Sequence, residues 1–294
     1  MIEIRHLDTC SFQTVVEIWN RGFQGYAVDL TQTLDSLLTR IISHGISISD
    51  SFVAFMDGEA VGFLLNGLRV SGDAKLAWNG GTAVVSEMRG KGVGKKLVEA
   101  TLEFYVKESV NRAMLEAISN NESAIKLYSR CGYEVVDELT FLQHDEVVHE
   151  WQSTSSSQSY TAISVPPVVT GELSFYYPLS PWQAHWESVG LACGEGVLVH
   201  DTSGEPVGYA LIKKKFTREG RVESISLFQC EVAPGRRDAS EIASFTLQKA
   251  FAAELGKLKR TTYNLRKSNR VVTDVLHRVG FTTFIEQVHM TRTF

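Results

Sequence analysis

The stretch EMRGKGVGKKLVEA, residues 87 to 100, sets Gly90, Gly92 and Gly94 among Arg89, Lys91, Lys95 and Lys96, just ahead of an amphipathic run. Successive backbone N–H groups at a helix start form a nest for an anion. The helix dipole favours negative charge there, and glycine removes the Cβ atoms that would hold a phosphate away. Basic side chains add charge-assisted bonds to phosphate oxygens. Two familiar phosphate loops fail at this site. G-x-x-x-x-G-K-[ST] needs glycine where Arg89 stands and a hydroxyl where Lys96 stands. G-x-G-x-x-G needs glycine at 95 or 97, which are Lys95 and Leu97. What remains is an anion nest of another kind, or a tight turn leading into a solvated basic helix start.

A second pattern lies downstream. In LEAISNNESAIKLYSRCGY, Asn121, Ala124 and Tyr128 fall on one face of a helix, and Gly132 stands where a helix end wants positive φ. Small Ala124 leaves that face open for a ligand to lie along it; the plainer reading makes Tyr128 a core aromatic with its hydroxyl at the surface. The histidines offer no metal pattern. His144 and His149 in HDEVVHE are five apart, off helical register and beside acidic residues, so no metal site is expected.

These residues need elements to hold them. IEIRHL reads as a strand, and SFQTVVEIWNRGF and TLDSLLTRIISHG as amphipathic helices, the second stopped by glycine. SFVAFMDGEAVGFLLNGLRV is a hairpin about Asp57-Gly58. KLAWNGGTAVV is a strand interrupted by Gly80 and Gly81, the mark of a bulge or of close approach by a ligand. The basic glycine stretch opens a helix to about Val106; AMLEAIS is a buried strand, NESAIKLYSRC a helix and YEVVDELTFL a strand. A meander followed by helical crossovers is an α/β layered domain.

The order then returns in degraded form. GEAVGF at 58 reappears as GEPVGY at 204, VVSEMR at 84 as EVAPGR at 231, and NESAIKLYSRCGY at 121 as NRVVTDVLHRVGF at 269, at offsets of 146 to 148 residues. This is an internal duplication. The second copy lacks much of the two-helix segment near residues 10 to 45. Between the copies, QSTSSSQS at 152 to 159 has the composition of a flexible linker. The expected organisation is therefore one domain over 1–145, a Ser-rich linker over 146–160 and a second domain over 161–294.

Composition sets outer limits. Of the 294 residues 44% are apolar and 21% charged, ordinary for a soluble globular protein. A net charge of -5 argues against a nucleic-acid partner. Cys10, Cys131, Cys193 and Cys230 are scattered, which reads as reduced thiols. The start MIEIRHLDTC lacks the features of a signal peptide, and no apolar run reaches membrane-spanning length, so a cytoplasmic protein without a membrane partner is expected.

The two motifs in order, Arg89-Gly90-Lys91-Gly92-Val93-Gly94 and then Asn121 to Tyr133, resemble those of the GNAT superfamily of N-acetyltransferases. The resemblance covers roughly residues 1 to 145. It implies two tandem domains, each with a mixed, mostly antiparallel central sheet flanked by helices, the first copy intact and the second degenerate. It further implies acetyl-CoA as cofactor. Arg89, Gly90, Lys91, Gly92, Val93, Gly94 and Lys95 would hold its pyrophosphate, the backbone of Ala83, Val84 and Val85 its pantetheine arm, and Asn121, with Ser123 near the same arm, would fix it by side-chain bonds. An amine would attack the thioester directly in the gap between KLAWNGGTAVV and AMLEAIS. A backbone N–H near Val84 would stabilise the oxyanion, and Tyr128 would protonate the thiolate. The strand before the glycines has no carboxylate for a general base. Glu116 on the neighbouring strand, or a water held by Asn79, would serve. The acceptor, a small-molecule or peptide amine, would be gripped by Phe23, Gln24 and Tyr26, with Asn66 and Trp78 as floor; lid packing is the plainer role of those aromatics.

In the second copy Gly92, Gly94 and Tyr128 correspond to Ala239, Glu241 and Leu276, while Asn269 and Gly280 keep their spacing. That copy reads as catalytically silent. The alternative to an acetyltransferase is a non-catalytic acyl-CoA-binding or sensing protein, which the missing strand carboxylate favours and a retained Tyr128 opposes. The acceptor's identity and the oligomeric state are not written in the sequence.

Overall fold

The computed structural model describes residues 1–25, 30–148, 151 and 159–294. The chain forms two compact units, one of residues 1–136 with 289–294, the other of residues 137–288.

The first unit runs β1 (Ile2–His6), α1 (Phe12–Gly22), α2 (Leu34–His44), β2 (Ile46–Met56), β3 (Glu59–Ser71), β4 (Ala74–Val84), α3 (Val93–Lys107), β5 (Arg112–Ile118) and α4 (Glu122–Arg130). Local chemistry accounts for the boundaries. Ser11 caps α1 through Thr14 N, and Thr33 and Ser36 form a reciprocal box at the start of α2, which Gly45 ends at φ 63°. Asp57 and Gly58, at φ 52° and 85°, make the turn between β2 and β3. Strands β1 to β4 pair antiparallel in sequence order and β4 pairs parallel with β5. The apolar faces of α1, α2 and α3 bury Val15, Ile18, Trp19, Leu37 and Leu97 with sheet residues Val53, Phe63, Leu65 and Leu115.

The second unit repeats this plan: β7 (Tyr160–Val165), the short helices α5 (Pro167–Gly171) and α6 (Trp186–Leu191), β8 (Glu195–Asp201), β9 (Pro206–Phe216), β10 (Val222–Val232), α7 (Ala239–Ala250), β11 (Lys259–Thr262), β12 (Leu265–Arg266) and α8 (Arg270–Arg278). Strands β7 to β10 are antiparallel neighbours and β10 pairs parallel with β11. As the sequence indicates, this copy has only short helices where the first has α1 and α2.

The domain boundaries differ from the expected ones. Strand β6 (Glu134–His144) belongs to the second unit from Asp137 onward, because β11 and β12 supply its antiparallel partners. The last strand, β13 (Thr282–Thr293), contributes 282–288 to the second unit and its final residues to the first, beside β5. Residues 146–148 and 151 are not linker either, since Val148 and Trp151 are buried in the second core, and Tyr160 already belongs to β7. Residues 152–158, most of the Ser-rich stretch, lie outside the described residues, as does His149. Among the described residues no helix is long and apolar enough to cross a membrane.

Candidate active site

The glycine loop keeps its backbone open. Gly90 and Gly92 take φ 75° and 84°, which side chains adopt at a cost, and an added Cβ at either would meet nothing within 4 Å. Gly92 caps α3, whose first internal bond is Lys96 N to Gly92 O at 3.1 Å, so the preceding N–H groups point out of the helix end. At Gly94 an added Cβ would make only ordinary contacts, 3.4 Å from Leu127 Cδ2 and 3.8 Å from Val84 Cγ2. Val93 is buried and offers only backbone; Lys91, Lys95 and Lys96 are exposed, with Lys95 near Glu99 at 3.4 Å. Arg89 departs from expectation. Its guanidinium donates to Gly22 O at 2.7 Å and Val84 O at 3.3 Å, tying α1 to the end of β4 instead of standing ready for phosphate.

Next to the loop the sheet opens. The parallel ladder of β4 and β5 ends at Asn79 and Leu115, while β4 continues along β3 to Val84. Val85 N donates to Val61 O on the β3 side at 2.9 Å, so by strand alternation the N–H and C=O of Val84 face the gap. The side chains of Ala83 and Val85 are in the core. A bulge bends β4 here: Leu65 pairs with Gly81 and Asn66 with Asn79, leaving Gly80 as the extra residue.

Tyr128 is buried in α4, with its hydroxyl 3.5 Å from Asn79 Nδ2 and its ring edge-on to Tyr133. Asn79 latches the bulge, donating to Thr82 Oγ1 at 2.9 Å and accepting from Gly81 N at 3.2 Å. Asn121 is not on the helix face with Tyr128. It caps α4, its Oδ1 accepting from Ala124 N at 3.2 Å and from the Ser123 hydroxyl at 2.9 Å. Both side chains expected on the pantetheine arm thus serve the helix start, which in turn sets where Tyr128 falls.

Glu116 lies one residue past the last ladder pair, and its Oε2 accepts the Trp78 indole N–H at 2.9 Å. Trp78 is 1% exposed and Asn66 is wholly buried, accepting from the Tyr105 hydroxyl at 2.7 Å and donating to Asp50 O at 2.7 Å. Neither is an open floor; both are core groups. Phe23 packs 4.8 Å from the Trp19 ring and 6.4 Å from Phe63, which is the plainer role expected of it. Gln24 is exposed, and Tyr26 lies outside the described residues.

Two residues at the bulge escaped sequence reasoning. Arg40 donates from α2 to Gly80 O at 3.0 Å and lies over the Trp19 ring at 5.1 Å. Its signal was a basic residue three places after buried Leu37, on the inward side of an amphipathic helix. Thr82 offered no signal, since its bond to Asn79 depends on the bulge.

The second unit fills the same positions with its own side chains. Its parallel ladder ends at Leu227 and Thr262, and beyond it Glu231 accepts from Arg266 at 2.6 Å and from Asn269 at 3.0 Å. Burial pushes the Glu231 carboxyl up while Arg266 pulls it back. At the start of α7, Asp238 accepts from Arg236 at 2.7 Å and from the Tyr160 hydroxyl at 2.8 Å. Those bonds hold the Asp238 carboxyl at about 2, whereas burial and Asp238 push the Tyr160 phenol up to about 12. Asn269 caps α8 as Asn121 caps α4, and Leu276 is fully buried.

An antiparallel meander, one parallel crossover that splays after a bulge, and a glycine loop opening the crossover helix define the GNAT fold. Residues 12–133 match the family described as Acetyltransferase (GNAT); the first unit is a domain of that family, and the chain has the fold of tandem GNAT proteins. One similar solved structure is the GCN5-related glucosamine N-acetyltransferase region of a fungal multi-domain GH3 β-N-acetylglucosaminidase. It has a TM-score of 0.71 and 16% identity, over 99% of this chain and 38% of that one. A GCN5-related N-acetyltransferase from Sphaerobacter thermophilus gives 0.67 and 15%, over 99% and 95% of the chains. A tandem GNAT protein from the clavulanic acid biosynthesis pathway gives 0.64 and 12%, over 100% and 98%. At these identities the likeness is one of fold. No curated protein matches the chain.

Proposed function

We propose that the first unit is an acetyl-CoA-dependent N-acetyltransferase acting on a primary amine by direct attack, and that the second unit is catalytically silent. The observation that carries the reading is the opening of β4 from β5 beyond Asn79 and Leu115, with Tyr128 beside it and the open Gly90–Gly92 backbone at one end. The fit is to a long ligand with an anionic end. The loop has room and N–H groups for pyrophosphate, and the edge of β4 about Val84 faces the gap along which a pantetheine arm would lie. Bound acetyl-CoA supplies an activated thioester carbonyl.

Each residue then has a task. The loop N–H groups and Lys91, Lys95 and Lys96 neutralise phosphate charge. The Val84 N–H donates to the oxyanion that develops on attack, a contribution of about 3 kcal/mol. Tyr128 gives its proton to the departing sulfur, and Glu116 takes one from the attacking amine. The acceptor approaches past the end of α1, near Gln24. Free cysteines fit a reducing compartment, and we assign the protein to the cytoplasm.

A non-catalytic acyl-CoA-binding role is the second reading, favoured by the lack of any carboxylate on β4. Calorimetric titration with acetyl-CoA, followed by thiol release with spermidine, glucosamine and lysine, separates the two. One site per chain, abolished in Gly92→Glu, together with amine-dependent thiol release supports the enzyme. Binding without release from any amine supports the binding protein, two sites refute the silent second unit, and no binding refutes both readings.

A further inference from the structure

We propose that Trp78 is a positioning residue for Glu116, its indole N–H holding the carboxylate at the point where β4 and β5 part. The inference rests on the reading of Glu116 as the group that takes the amine proton. A glutamate at the end of a strand ladder has three side-chain torsions to order, and a base must stand within hydrogen-bond reach of the proton it removes. Here one carboxylate oxygen is fixed by a donor 2.9 Å away, on a ring that is itself 1% exposed. Indole nitrogen donates and never accepts, so the contact suits a carboxylate.

The ring is fixed in turn by the bulge. An added Cβ on Gly80 would lie 2.5 Å from Trp78 Cζ3 and 2.9 Å from Cε3 and Cη2, so the six-membered ring occupies the space a side chain at 80 would take. The His44 ring of α2 meets Trp78 edge-on with centroids 5.9 Å apart, and Arg40 of the same helix holds Gly80 O at 3.0 Å. The bulge glycine, the tryptophan and the glutamate thus form a chain of support. This gives the first of the paired glycines, Gly80, a purpose other than room for ligand.

The test uses the whole chain. The chain has five tryptophans, and the indole N–H resonance missing from Trp78→Phe identifies Trp78 in a proton–nitrogen correlation spectrum. In Glu116→Gln that resonance should move while the other indole signals stay. With an amine from the panel above, Trp78→Phe, which keeps an aromatic ring and removes the donor, should lower kcat roughly 10- to 100-fold with KM for acetyl-CoA unchanged. Gly80→Ala, which displaces the ring without deleting the donor, should share the kcat loss; it keeps the test decisive where Trp78→Phe folds poorly. An unmoved Trp78 resonance in Glu116→Gln overturns the proposal even where no amine turns over, and so does wild-type kcat in Trp78→Phe. Full activity in Glu116→Gln overturns it by removing the base, whereas a failure to bind acetyl-CoA strikes the enzyme reading itself.

Discussion

Charge at two side chains separates the two copies. In the first unit the Tyr128 hydroxyl stands beside the strand opening, and losing a single positioned proton donor costs roughly 10²- to 10⁴-fold in rate. Tyr128→Phe should therefore bind acetyl-CoA in calorimetry like the wild type and lose turnover by that factor. In the second unit Asp238 immediately precedes α7 as Gly92 precedes α3, its carboxyl held at about 2 by Arg236 and the Tyr160 hydroxyl. A carboxyl depressed by folding contributes stability that is complete above its ordinary value of 3.8 and is lost as pH falls toward about 2. Asp238→Asn should melt below the wild type at pH 7, and the gap should close between pH 4 and 2. Glycine spacing and Tyr128 were legible in the sequence because each is a local requirement of turn or helix. The engagement of Arg89 with Gly22 O was not, since no local pattern pairs a guanidinium with a carbonyl 67 residues away.

Elements translate those residues into position. Helix α4 starts where Asn121 caps it, and loss of such a cap costs about 1 kcal/mol. Asn121→Ala should lower the melting temperature modestly and reduce kcat by shifting Tyr128, whereas Asn121→Ser, also a good cap, should restore both. The hairpin at Asp57-Gly58 and the helices α1 to α4 could be read from periodicity and punctuation, within a residue or two at their ends. The bulge was legible as a pair of glycines, but its consequences were not. Inserting Gly80 changes which side chains meet across β3 and β4, so Asn66 and Trp78, expected together as a floor, became a core hydrogen-bonding group and a buried ring.

At the scale of the molecule, the repeat at offsets of 146 to 148 announced two copies and missed how the chain divides between them. Alternation within a strand says which face is buried but not which neighbour pairs with it, and so the division of β6 and β13 was invisible. Residues 289–294 complete the first unit. Phe294 packs edge-on to the buried Tyr105 ring at 6.1 Å and donates its N–H to Asn111 O at 3.1 Å, and Arg292 donates to Cys131 O beneath Gly132. Deleting 289–294 should strip the outer edge of β5, lower the first unit's stability by several kcal/mol and abolish acetyl-CoA binding, as read by thermal unfolding and calorimetry. The order of synthesis gives this arrangement a further meaning. Residues 1–136 leave the ribosome long before 289–294 do, so the first unit waits with β5 paired on its β4 side alone while the second unit is made. A chain released by termination before residue 289 should fail to bind the proposed donor. Such a chain presents an open strand edge to chaperones and proteases, so the proposed catalytic activity becomes a readout of translation through the second copy.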